Sequence, residues 1–141
     1  MGTQQILLIV LSVIIVGVAI AVGISMFNSQ AYNSNKTAIA SDAQSFAAQV
    51  IQYYKTPVSQ GGAGGNIALG GEAAMSGFLG FDTTNFNITN DNGTYTLAIV
   101  DANTVTITGL GTAENGANQN PQIVATITLP AGTITSVASD V

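Results

Sequence analysis

The sequence contains neither cysteine nor histidine, so disulfides, thiolate nucleophiles, imidazole bases and conventional zinc sites are excluded. Basic residues are almost as scarce. Lys36 and Lys55 stand alone against seven acids, giving a net charge of −5, and two isolated lysines cannot form the clustered cationic surface that phosphate binding requires. Nucleic acid is therefore not expected as a primary partner. The seven acids are scattered without a recognisable spacing for paired acid and base work, so the chain reads as non-enzymatic and without a cofactor.

Charge is missing altogether from the first part of the chain. From Ile6 to Phe27 the sequence reads ILLIVLSVIIVGVAIAVGISMF, and the first charged side chain is Lys36. As a helix this run would measure roughly 33 Å, the thickness of a bilayer's hydrocarbon core. Leu, Ile and Val each favour insertion by about 0.3 to 0.6 kcal/mol, so the segment is expected to enter a membrane. A cleaved secretory signal would want a basic start, a shorter apolar core and a small-x-small site close behind it. Residues 1 to 5, MGTQQ, carry no side-chain charge, and Ala38-Ile39-Ala40 lies too far downstream. Myristoylation of Gly2 would want Ser or Thr where the chain has Ile6. Retention of Met1 before Gly2 fits either an untrimmed gene product or a first residue exposed by leader removal.

Proline is absent before Pro57, and the residues that follow Phe27 continue a helical pattern. Ile39, Ala43, Phe46, Val50 and Tyr53 or Tyr54 recur at spacings of three and four, one apolar stripe of an amphipathic helix. One helix is thus predicted from about Thr3 to Tyr54, roughly 75 to 80 Å long. Asn28, Asn33, Ser34 and Asn35 are weak helix formers and predict a local loosening between Phe27 and Lys36. Lys55-Thr56-Pro57 ends the helix, and GGAGGNIALGG from Gly61 to Gly71 predicts a flexible connector, followed by a short helical turn at Glu72 to Leu79.

Beyond Asn92 the period changes to two. Tyr95, Leu97 and Ile99, then Val105 and Ile107, then Ile123, Ala125, Ile127 and Leu129 each alternate with small or polar residues. Turns are expected at Asp101-Ala102-Asn103 and Pro130-Ala131-Gly132, with a fourth strand near Thr133 to Val137. The sheet's apolar face must be covered, and the stripe from Ile39 to Tyr54 is the helical surface long enough to cover it. The expected fold is α+β. Residues 1–56 form the helix (1–27 projecting, 28–56 a stem), 57–92 a Gly-rich connecting region, and 93–141 an antiparallel sheet of about four strands.

This arrangement of an apolar N-terminal helix continuous with an amphipathic stem, a loop and an antiparallel sheet resembles the type IV pilin superfamily. The resemblance covers the whole architecture and is specific in residues 1 to about 55. It implies a leader removed by a dedicated peptidase, so that Met1 would be the processed and methylated first residue. It further implies an inner-membrane assembly machinery as partner, and a helical homopolymer whose core is the bundled apolar helices, displayed as an extracellular filament after a single-pass membrane stage. In the familiar pattern the fifth mature residue is Glu, where this chain has Gln5. An amide accepts a hydrogen bond from an amine but cannot cancel its charge. Gln4 and Gln5 are then hydrogen-bonding candidates in a dry core. The core candidates implied beside them are Ile6, Leu8, Leu11, Ile15, Gly17, Val18, Ala21, Gly23 and Phe27, with the small residues Gly17, Ala19, Ala21 and Gly23 allowing closest approach. Other readings of the same features are a minor pilin or secretion pseudopilin, and a monomeric single-pass anchored module that presents its sheet to a ligand.

Three sequons, Asn35-Lys36-Thr37, Asn87-Ile88-Thr89 and Asn92-Gly93-Thr94, make Asn35, Asn87 and Asn92 candidate glycosylation sites. Asp82, Asn85, Asn87, Asn90 and Asp91 form an oxygen-rich cluster outside the EF-hand order, which reads first as turn chemistry and second as a calcium site. The Gly-rich stretch lacks the Gly-Lys-Ser/Thr ending of a phosphate loop. Tyr53 and Tyr54 are expected to pack where the stem meets the sheet.

Overall fold

The structure, a computed structural model, describes residues 2–141. One unbroken helix, α1 (Gly2–Lys55), accounts for the first part of the chain. The loosening expected between Phe27 and Lys36 is absent. Ser29 and Thr37 turn their hydroxyls back onto the carbonyls of Ser25 and Asn33, each at 3.0 Å, so they do not compete for the helix's own N–H groups. Asn35 spends its side chain on the sheet domain instead, as described below.

Beyond Pro57 the Gly-rich stretch is ordered rather than a free connector, and the reason lies in α1's last turn. The final carbonyls of a helix lack intrahelical partners. Here Ala63 N donates to Tyr53 O, Gly65 N to Tyr54 O and Gly64 N to Thr56 O, at 2.8 to 2.9 Å. The fold-back needs glycine: Gly65 has φ +85°, and a Cβ on Gly62 would run into Thr56. Single 3-10 turns at Val58–Gln60 and Ile67–Leu69 lead into α2 (Gly71–Leu79), close to the helical turn expected at Glu72 to Leu79. Ala63, Ile67, Met75 and Leu79 from this region are buried.

The sheet has five strands in sequence order, all antiparallel: β1 (Asn87–Thr89), β2 (Gly93–Asp101), β3 (Thr104–Gly111), β4 (Pro121–Thr128) and β5 (Thr133–Asp140). The expected count of about four misses β1, whose three residues pair with Thr94–Thr96. Such a short segment has no periodicity to betray it, and Asn is a poor strand former.

The alternation read from the sequence points inward as expected. Tyr95 and Leu97 of β2, Val105 and Ile107 of β3, and Ile123, Ala125 and Ile127 of β4 are buried against Ile39, Ala43, Ala47, Val50 and Tyr53 of α1. The fold is therefore α+β, a long helix packed on one face of an antiparallel sheet. Phe46, half-buried, wedges its ring edge-on between Phe81 and Tyr95, with centroids at 4.9 and 5.1 Å. Tyr53 is buried and meets Phe78 at 5.2 Å, while Tyr54 is partly buried, so both tyrosines serve packing.

The helix runs opposite to β5. The C-terminal end of β5 at Asp140 meets Tyr32 and Lys36, and Gly132, just before β5, faces Ile51 nineteen residues further along α1. The unburied half of α1 consequently projects beyond the Asp140 end of the sheet.

Candidate assembly helix and its seat in the head

Between Ile6 and Phe27 every large apolar side chain is more than half exposed, from 51 % at Val10 and Leu11 to 72 % at Phe27. Leaving one such side chain in water instead of burying it costs about 1.5–3 kcal/mol, so the run as a whole costs tens of kcal/mol. A domain of this size is stabilised by only about 5–15 kcal/mol. The exposed half thus cannot be a water-facing surface of a stable monomer. It belongs in lipid or against other protein. By length and composition α1 can cross a membrane, with a mean hydropathy of 3.2 over its most apolar 18 residues, none of them buried.

The predicted core residues all lie on this half. Gln4, Leu8, Leu11, Ile15 and Val18 follow one helical stripe, whereas Ile6, Gly17 and Ala21 lie on another face, and Gln5, Gly23 and Phe27 on a third. The chain itself brings none of them into its packed core. Met1 lies outside the described residues. Around Gly17 and Gly23 a Cβ would meet nothing within 4 Å, so neither glycine is required by the chain's own packing.

Three polar connections seat the stem on the sheet domain. Nearest the projecting half, Tyr32 donates its phenol to Asp140, and the Lys36 ammonium pairs with the same carboxylate at 3.0 Å. These two donors hold the Asp140 carboxyl below its ordinary range. One turn beyond Tyr32, the Asn35 amide joins two loops, β3–β4 and β1–β2. Its Oδ1 accepts from Thr112 N at 3.0 Å and Ala113 N at 3.2 Å, and its Nδ2 donates to Asn92 O at 2.7 Å. Gly111 makes room for it, since a Cβ there would collide with Asn35 Oδ1 and with Pro121.

The third connection is Asp42, seven residues along the same face. Its Oδ2 accepts from Tyr95 Oη at 2.6 Å, Asn92 Nδ2 at 2.8 Å and Asn90 Nδ2 at 3.0 Å. Burial acts to raise the Asp42 pKa, but the donors Asn92, Tyr95 and Asn90 outweigh it and leave the carboxyl below its ordinary value. Burial and the Asp42 carboxylate together push the Tyr95 phenol well up.

Tyr32, Asp42 and Asp140 were not singled out from the sequence, and Asn35, Asn90 and Asn92 were read there as sequon or turn residues rather than as parts of this junction. The signal was there in principle: Asn35 and Asp42 are polar residues set into the apolar stripe that contains Ile39, Ala43 and Phe46. A polar side chain on a buried face requires a partner.

The oxygen-rich cluster is occupied by turn chemistry. Asp82 Oδ1 accepts from Thr84 N and Asn85 N at 2.7 and 2.8 Å, and Asn90 Oδ1 accepts from Asn92 N and Gly93 N at 2.9 and 3.1 Å. Among the three sequon asparagines, the Asn35 and Asn92 amide nitrogens are already hydrogen-bond donors inside the junction. The Asn87 side chain, half-buried on β1, is in no hydrogen bond among the described residues.

No protein-family model, curated protein or solved structure matches this chain. The functional reading therefore rests on the sequence and the geometry alone.

Proposed function

We propose that the chain is the structural subunit of an extracellular, type IV pilus-like filament, polymerising through the apolar half of α1 and carrying its sheet domain on the outside. One observation carries the reading: a helix exposed and apolar on every face is continuous with a stem buried on one face. Transfer of such a helix from bilayer to helical bundle exchanges one apolar environment for another, so close packing decides association. Gly17 and Gly23 support this, because a glycine in mid-helix costs about 1 kcal/mol relative to alanine and the isolated chain offers no return for it. Gln4 and Gln5 supply hydrogen-bonding groups at the helix start, where the first N–H groups lack partners.

In this reading the protein is a non-enzymatic building block. Its partners are copies of itself and, before assembly, a leader peptidase and an inner-membrane assembly machinery; Met1 is the processed, methylated first residue. Attachment or motility would be a property of the polymer. The test is mass spectrometry of filaments sheared from the cell surface. The expected result is that this chain dominates the sheared material and that its first peptide begins at a processed Met1. Trace amounts in sheared material would assign a minor or pseudopilin role. A chain found wholly in the detergent-soluble membrane fraction would overturn the filament reading in favour of an anchored binding module.

A further inference from the structure

The two edges of the sheet are finished differently. On the β2 side, β1 covers Thr94–Thr96, the carbonyl of Phe86 takes the N–H of Leu97 at 2.8 Å, and the Glu72 carboxylate of α2 takes the N–H of Ile99 at 2.8 Å. On the β5 side nothing comparable exists among the described residues. Seven of the eight residues of Thr133–Asp140 are exposed, and their sequence, TITSVASD, has no proline and no lysine. No register shift interrupts its pairing with β4. These are the devices that ordinarily blunt an edge strand. Its single charge, Asp140, is tied back to Lys36.

Which backbone groups face outward follows from the register. Asn120 and Val141 exchange both of their hydrogen bonds, at 2.7 and 3.0 Å. By antiparallel alternation Ser139, Val137, Thr135 and Thr133 bond β4, and Ile134, Ser136, Ala138 and Asp140 send their N–H and C=O groups away from it.

We infer that β5 is a docking edge for β5 of a second copy of this chain, paired antiparallel about a two-fold axis at Val137. The pattern is self-complementary in that register. Ile134 pairs with Asp140 of the second copy and Ser136 with Ala138 of the second copy, together with their symmetry mates, giving about eight backbone hydrogen bonds. Val137, 61 % exposed on the outer face, meets Val137 of the second copy at the non-hydrogen-bonded position on the axis, where side chains approach most closely. No like charges stand opposite each other. A parallel pairing offers no such closed solution, because each residue of a parallel strand bonds to the residues flanking its counterpart and the exchange cannot be symmetric.

Direction fixes where the second copy comes from. Because α1 runs opposite to β5, a two-fold axis normal to the sheet points the two projecting helices in opposite directions. The pairing joins heads carried on two filaments or on two facing membranes, and not neighbours anchored side by side. It requires only that the head be displayed, so it stands apart from the polymer reading.

The absence of cysteine makes the test clean. In the full-length chain in detergent, Val137→Cys should form a disulfide dimer on mild oxidation, since the non-hydrogen-bonded pair has a Cα separation of about 4.5 Å, within disulfide range. Thr135→Cys and Ser139→Cys should each remain monomeric alone and form a heterodimer when mixed, because those positions face each other across the axis. Absence of the Val137→Cys dimer, or equal dimer yields from all three single variants, would overturn the proposal; the latter would report collisions between micelle-held helices.

Discussion

The phenol of Tyr95, rising from the floor of the sheet, donates to the carboxylate of Asp42 on the helix at 2.6 Å. Tyr95 is fully buried. Removing the acceptor leaves its hydroxyl, and the amides of Asn90 and Asn92, without their partner. Asp42→Ala should therefore cost the head about 1–3 kcal/mol, the penalty of an unsatisfied buried polar group. Asp42→Asn, which keeps an acceptor oxygen, should cost less. Thermal unfolding of the full chain in detergent, followed by circular dichroism, checks both.

The same site sets the pH dependence. Asp42 and Asp140 both have carboxyl pKa values lowered in the folded chain. Their contribution is fully present above the unfolded value of about 4 and is lost as pH falls through the lower folded values. The melting temperature should hold steady near neutrality and drop as the solution is acidified below about pH 4. In Asp42→Asn that drop should shrink. At the other extreme, burial and Asp42 raise the Tyr95 phenol. Its contribution is fully present below about pH 10, where a free tyrosine ionises, and declines as pH rises further. Ultraviolet absorbance of the phenolate should show Tyr95 ionising late, together with unfolding.

Much of this architecture was legible in the sequence because it is periodic. The stripe containing Ile39, Ala43, Phe46, Val50 and Tyr53 located the buried face of α1, and the alternation in Tyr95–Ile99, Val105–Ile107 and Ile123–Leu129 located three strands and their inward faces. What was not legible is held by single hydrogen bonds between distant residues. The order of Gly61–Gly65 comes from carbonyls of Tyr53, Tyr54 and Thr56 in need of donors, which composition alone cannot announce. β1 is three residues long, too short for any period. Asn35 looked like a weak spot in the helix and Asp42 drew no reading at all, whereas the fold uses each to accept two or more bonds from the sheet domain.

Gly111 tests how closely the stem and head fit. A methyl group there would meet Asn35 Oδ1 and the Pro121 ring. Gly111→Ala should destabilise the head by about 1–3 kcal/mol through overpacking. The double variant with Asn35→Ala should cost less than the sum of the two single changes, since both act on one contact. A double-mutant cycle in thermal unfolding measures the difference.

The projecting half should be separable from the head in its effects. Ile15 is 59 % exposed and touches nothing in the buried core. Ile15→Asp should leave the melting transition of the head unchanged while opposing membrane insertion by about 2.5–3.5 kcal/mol. Cell fractionation and microscopy of sheared material should show the variant lost from the membrane fraction and from filaments. An equally large fall in the melting temperature would mean that this half supports the head after all.

The unbroken course of α1 also decides how the molecule meets a pulling force. A load applied to the projecting end enters the head along the helix axis, and the helix lies over β3 and β4, running opposite to β5, with its stripe from Ile39 to Tyr53 pressed on the sheet. Extraction would have to slide the whole stem across the sheet face at once, in shear, and break the Asp140, Asn35 and Asp42 attachments together. With no hinge between the projecting half and the head, tension cannot peel those contacts one by one, and the molecule yields as a single mechanical unit.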